Sequence, residues 1–78
     1  MSNQLLSPLP GTFYRRPAPD KPSYKEDGDT VAEGDVIGLI EVMKSFNEVK
    51  AEVAGRIVKF LADNEEPVMA GQPLAEIA

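Results

Sequence analysis

Apolar and polar positions alternate along this chain with a period of two, in short bursts. The densest burst is Val36-Ile37-Gly38-Leu39-Ile40-Glu41-Val42-Met43, which predicts a strand over 36–43. Residues 46–53 predict another. Phe46, Glu48, Lys50 and Glu52 point one way, and Asn47, Val49, Ala51 and Val53 the other. Shorter bursts predict strands at 5–6, 12–15, 55–62 and 74–77. Residues 60–64 imitate a helix start, but the run is short and Pro67 follows it. Gly38 interrupts the best strand, which marks a bulge or a close backbone approach. Asp27-Gly28-Asp29, Glu33-Gly34-Asp35, Ala54-Gly55 and Ala70-Gly71-Gln72 are turn signals. Their regular spacing predicts an all-β sandwich or barrel.

The pattern occurs twice. Val31-Ala32-Glu33-Gly34-Asp35-Val36-Ile37-Gly38-Leu39-Ile40 and Val68-Met69-Ala70-Gly71-Gln72-Pro73-Leu74-Ala75-Glu76-Ile77 share the skeleton V-x-x-G-x-x-[IL]-x-x-I. Their offset is 37 residues, from 31 to 68. Upstream of each copy, Ser7-Pro8-Leu9-Pro10-Gly11-Thr12-Phe13 parallels Ala51-Glu52-Val53-Ala54-Gly55-Arg56-Ile57, offset by 44. Two matches in the same order predict a duplicated domain. The unequal offsets, 44 against 37, place about seven extra residues in the first half.

Seventy-eight residues allow one domain, over 1–78. The chain has no cysteine and no histidine. Disulfides, thiolate–zinc sites and Ser-His or Cys-His catalysis are therefore excluded, and no catalytic residue is assigned. The net charge is −5. Residues 26–78 carry twelve of the thirteen acids, a poor electrostatic match to nucleic-acid phosphates. Glu26, Asp27, Asp29, Glu33 and Asp35 lack the EF-hand spacing and read as solvated turn carboxylates, so no metal site is predicted. No apolar run reaches the roughly 20 residues of a membrane span. Met1-Ser2-Asn3-Gln4-Leu5-Leu6 lacks the basic and apolar regions of a secretory signal, so the cytoplasm is the expected compartment. Whether the chain is a whole subunit or a fragment is left open.

Two segments fall outside the repeat pattern. Arg16-Pro17-Ala18-Pro19-Asp20-Lys21-Pro22-Ser23 holds three prolines in eight residues. It cannot pair as a central strand, and it lies where the extra residues fall. It reads equally as a connector or as a stiff projection. The second segment is the junction Met43-Lys44-Ser45, a tight hairpin at the midpoint of the duplication. A turn lysine points to solvent and is ordinarily mute, but Val42 and Met43 set apolar side chains beside Lys44. Apolar residues at an exposed tip suggest recognition by another protein.

In these residues the chain resembles the biotinyl/lipoyl carrier family. Biotin carriers typically read Glu-Ala-Met-Lys-Met followed by Asn-Glu. This chain has Glu41-Val42-Met43-Lys44-Ser45-Phe46-Asn47-Glu48. Lipoyl domains more often have Asp-Lys-Ala at the tip, so Met43 favours biotin. Ser7-Pro8-Leu9-Pro10-Gly11-Thr12-Phe13-Tyr14-Arg15 is similar to the opening of the carriers of bacterial acetyl-CoA carboxylases, which also carry a proline-containing thumb. Residues 16–23 match that thumb in position and length. Val42 stands for the commoner alanine, Ser45 for methionine or leucine, and Arg16 for a frequent threonine.

The resemblance implies a flattened sandwich of two quasi-symmetric four-stranded halves (a barrel-sandwich hybrid) with the modified lysine on a hairpin tip. It implies biotin bound as an amide to Lys44, attached by a biotin protein ligase that reads Glu41, Val42, Met43 and Ser45. The domain would be a non-catalytic carrier, taking a carboxyl group from biotin carboxylase to carboxyltransferase, with acetyl-CoA the acceptor for fatty acid synthesis. Two other readings stand beside it. One is a lipoyl carrier of a 2-oxo-acid dehydrogenase, and the other an unmodified sandwich used for protein contacts.

Overall fold

The computed structural model of the protein describes residues 3–78. Met1 and Ser2, which open the segment read above as no secretory signal, lie outside the described residues. Eight strands follow in order: β1 (Asn3–Leu6), β2 (Gly11–Tyr14), β3 (Thr30–Val31), β4 (Val36–Val42), β5 (Ser45–Lys50), β6 (Gly55–Phe60), β7 (Glu66–Val68) and β8 (Pro73–Ile77). They form two four-stranded antiparallel sheets, ordered β1-β8-β6-β3 and β5-β4-β2-β7. The extents, 35 × 27 × 19 Å, are those of a flattened sandwich.

The duplication holds bond by bond. Strands β1–β4 map onto β5–β8, and each sheet takes two strands from each half. Gly34 N–H donates to Ala51 O, and Gly71 N–H to Ser7 O. Both glycines have left-handed φ, 91° and 84°, which their turns require and glycine supplies without steric cost. Ala32 N–H donates to Asp35 Oδ2, and Met69 N–H to Gln72 Oε1. The bulge expected at Gly38 also recurs. The β4–β5 ladder skips Ile37, the β1–β8 ladder skips Leu74, and both skipped residues are fully buried. A bulge leaves one residue unpaired and re-aims it, which here gives the core two large side chains.

Phe13, Ile37, Ile40, Ile57, Leu74 and Ile77 are the largest fully buried residues, supplied by both sheets. Several boundaries differ from the periodicity reading. β3 and β7 were not expected. They have two and three residues, too few to show alternation, and Pro67 is tolerated because β7 is an edge strand. β5 ends at Lys50 rather than at 53, because Ala51 N–H donates to Asp35 O and the chain turns away. Val53 is consequently exposed, not core-facing. Gly55 opens β6, as the strand expected over 55–62 has it, and that strand ends at Phe60 rather than at 62. A Cβ on Gly55 would lie 2.6 Å from Ala78 O, so the glycine permits close strand approach.

The acidic turns have structural roles. Asp29 Oδ2 accepts Glu26 N–H and Asp27 Oδ1 accepts Phe60 N–H. Asp35 lies 3.5 Å from Lys25 Nζ. The Ala32 N–H holds the Asp35 carboxyl below its ordinary value, with Lys25 adding to it and partial desolvation opposing. Because the folded value is depressed, the linked stability is present above the unfolded value of 3.8 and is lost as pH falls through the folded one. Asp35→Asn keeps an oxygen for Ala32 N–H and loses the charge. The variant should show a shallower loss of stability as pH falls below about 4 in urea titrations. Parallel pH profiles for the two proteins would refute this.

Candidate modification site on the β4–β5 hairpin

β4 and β5 are joined by only Met43 and Lys44, with Val42 paired to Ser45. A two-residue hairpin loop must twist with its strands, which requires positive φ at both positions and favours Asn-Gly. This loop has φ of 49° at Met43 and 67° at Lys44, with no glycine. Left-handed backbone at a residue with a Cβ costs about 1 kcal/mol or more each. Asn47, opposite Ile40, braces the turn. Its Nδ2 donates to Ile40 O at 3.3 Å and to Ser45 O at 3.5 Å. The result is a fixed tip from which Lys44 extends into solvent, without an ion pair among the described residues.

The other residues read as flanks fall into different environments. Met43 is 93% exposed and Ser45 is exposed. Val42, expected to form an apolar tip with Met43, is half-buried and packs against the core. Phe46 takes its place at 59% exposure, two residues beyond Lys44. Glu41 is half-buried and accepts a 2.9 Å hydrogen bond from the Tyr14 hydroxyl. That bond, with desolvation and the charges of Glu41 and Glu65, raises the Tyr14 pKa. Glu41 pairs with Phe46 across the ladder, and the Tyr14 and Phe46 rings lie 6.0 Å apart. Tyr14, Glu41 and Phe46 therefore form a row across β2, β4 and β5 on the outer face of one sheet. The periodicity of a single strand does not reveal such a row.

The proline-rich segment projects over this row. Its neck is closed by Tyr24 N–H donating to Arg15 O at 2.9 Å, and Lys21 N–H donates to Ala18 O within it. Arg15 anchors the base. Its N–H donates to Asn64 Oδ1, its guanidinium lies 4.1 Å from the Phe60 ring centroid, and Nη2 lies 3.6 Å from Glu26 Oε2. A cleft of about 280 Å³ opens between projection and sheet. Arg16, Pro17, Ala18 and Pro19 form one side, with Tyr14, Phe46, Asn64 and Glu65 completing it. Asp20, Lys21, Pro22 and Ser23 do not line the cleft. The segment is thus a projection facing the lysine hairpin, the second of the two readings that the sequence left open.

The model of the biotin/lipoyl family, described as "Biotin-requiring enzyme", matches residues 3–77. The chain belongs to this family. It is 49% identical over 74 residues to the biotin carboxyl carrier protein of acetyl-CoA carboxylase from Chlamydia pneumoniae, covering 95% of this chain and 44% of that protein. It is 43% identical over 74 residues to the protein of the same description from Nostoc sp., covering 95% and 41%. The chain therefore spans less than half the length of these relatives. Among solved structures, the Kluyveromyces lactis urea carboxylase superposes with a TM-score of 0.79 at 32% identity, over 100% of this chain and 6% of that one. A single-chain, multi-domain long-chain acyl-CoA carboxylase superposes at 0.78 and 27%, over 96% and 7%. This family member combines the duplicated sandwich with the projection. Among its described residues, no helix is long and apolar enough to cross a membrane.

Proposed function

We propose that this chain is the biotin-bearing domain of a carboxyl carrier and that Lys44 is the attachment point. The observation that carries the reading is the tip itself: an exposed lysine held on a two-residue left-handed turn, in a chain matched by the family model over residues 3–77. The residues suit the group. Lys44 Nζ is accessible for amide formation, and the neighbouring cleft has the apolar walls of Pro17, Ala18, Pro19 and Phe46 for a bicyclic head. Biotin, when bound, supplies the ureido nitrogen that holds a carboxyl group.

The chain's own part is positional. The turn fixes the origin of the arm, and Asn47 fixes the turn. A biotin protein ligase reads Met43, Ser45 and the adjacent Phe46, while Glu41 and Val42 shape the tip from below. Residues 16–23 act as the thumb over the arm. The domain performs no chemistry itself. Tethering raises the concentration of the cargo at the active sites of a biotin carboxylase and a carboxyltransferase, with acetyl-CoA the acceptor. Cytoplasmic residence is part of this proposal.

Co-expression with a biotin protein ligase, followed by intact-mass measurement and peptide mapping, tests the assignment. One biotin per chain, on Lys44, is expected. Amide formation also removes one cation, from −5 to −6, so the modified form should run faster on a native gel. An unmodified mass would overturn the reading, and a lipoyl adduct from cells supplying both cofactors would replace it.

A further inference from the structure

Arg15 and Arg16 are adjacent and differently occupied. Arg15 has an ion pair, a stacked ring and a backbone anchor. Arg16 makes no ion pair among the described residues, and its one side-chain hydrogen bond is a long 3.5 Å contact from Nη1 to Pro19 O. The Nε atoms of both arginines are buried with no acceptor, so what sets Arg16 apart is that it has neither the ion pair nor the ring contact of Arg15. A donor withdrawn from water without a partner is unfavourable unless something fills the vacancy. This guanidinium lines the cleft that also contains Phe46, whose Cα lies within about 7 Å of that of Lys44 by chain geometry. A modified Lys44 would extend from the same hairpin that supplies Phe46 to the cleft.

The cleft suits an anion of one shape. A guanidinium presents a planar fork of N–H groups that matches a carboxylate. Among the other polar side chains lining the cleft, the Asn64 amide keeps a free donor, but it is neutral and lacks the charge of a guanidinium. The Tyr14 hydroxyl is already given to Glu41, and Asn64 Oδ1 is taken by Arg15 N–H. Glu65 also lines the cleft, so Arg16 is the countercharge that lets an anion enter. We propose that Arg16 makes the thumb cleft selective for the charged state of the arm, pairing with the carboxylate cargo and releasing the arm once the cargo is gone. An empty arm is neutral at its head and forfeits the charge-assisted bonds. The thumb would thereby hold a loaded arm in transit and present an empty one. The inference rests on Lys44 carrying biotin.

Nuclear magnetic resonance on the biotinylated domain tests it, with catalytic biotin carboxylase, ATP and bicarbonate to load the arm. The Arg16 Nε–Hε signal and the Phe46 and Ala18 amides should shift on loading and return when ATP is exhausted. In Arg16→Gln the docked-to-free ratio should fall about tenfold, the scale of a charge-assisted hydrogen bond. Arg16→Lys should recover part of it, and added salt should weaken the wild type more than Arg16→Gln. Unchanged spectra on loading, with mass confirming biotin on Lys44 and carboxylate incorporation confirmed by label, would overturn the inference while sparing the carrier assignment. An equal shift from bicarbonate alone on the unmodified domain would reassign the cleft to free bicarbonate and also overturn it. If Lys44 carries no biotin, both readings fall. Dispersed amide spectra of each variant report that it is folded.

Discussion

Lys44→Arg should abolish biotinylation outright while leaving the fold in place. Arginine keeps the charge and most of the reach of lysine, but its guanidinium stays protonated and does not attack an activated acyl group. Lys44→Ala should give the same zero on an avidin blot. Lys50 and Lys59, also exposed, should not take over, because neither stands on a turn. Stability should separate the variants in a different order. The backbone at position 44 has φ of 67°, so Lys44→Gly should exceed both wild type and Lys44→Ala by about 1 kcal/mol in urea unfolding. Uptake and stability would then move in opposite directions at one residue, as expected where strain is retained for function. An avidin signal surviving Lys44→Arg would sink the assignment. Equal stability of the glycine and alanine variants would deny the left-handed turn.

What could be read from the chain beforehand followed the length of each signal. β4, β5 and β6 have six or seven residues, enough for alternation to identify them. β3 and β7 have no readable pattern, because their pairing is decided by β6 and β2 rather than by their own residues. Lys44 was legible because its signal is positional: the midpoint of a repeat, between two strands with almost nothing between them. Val42 was misjudged because residues next to a turn look exposed in sequence, whereas Val42, the last residue of β4, still packs against the core. Phe46 was passed over as one more outward residue of β5. Its significance depends on the register that sets it opposite Glu41 and beside Tyr14, which no single strand encodes. The orientation of the proline-rich projection likewise depends on Arg15 stacking on Phe60, a contact between residues 45 positions apart, 15 to 60.

Gly38→Ala should destabilise the domain by about 3 kcal/mol, a large share of the roughly 5 to 15 available to a domain of this size. An added Cβ would lie 2.5 Å from Phe13 Cε1 and 2.7 Å from Tyr14 O. Phe13 is fully buried and has nowhere to go, and a strand carbonyl moves only with its ladder. The second half of the molecule shows how the same site accepts a methyl group. The repeat places Ala75 at the position of Gly38 and Ile57 at that of Phe13, each fully buried. A smaller side chain on the facing strand makes room for a larger residue at the bulge. Phe13→Ile alone should cost about 1.5 kcal/mol as a cavity. Combined with Gly38→Ala it should cost at least about 1 kcal/mol less than the sum, because one change fills what the other vacates. Full recovery is not expected, since the Tyr14 carbonyl still opposes the new Cβ. Four proteins compared by urea unfolding give the coupling directly, and additivity within about 0.3 kcal/mol would refute it. Biotin uptake by the double variant, measured well below its melting temperature, should equal that of the wild type. The exchange alters the inner face of β2 and β4, whereas Lys44 and Phe46 depend on the outer face and the turn.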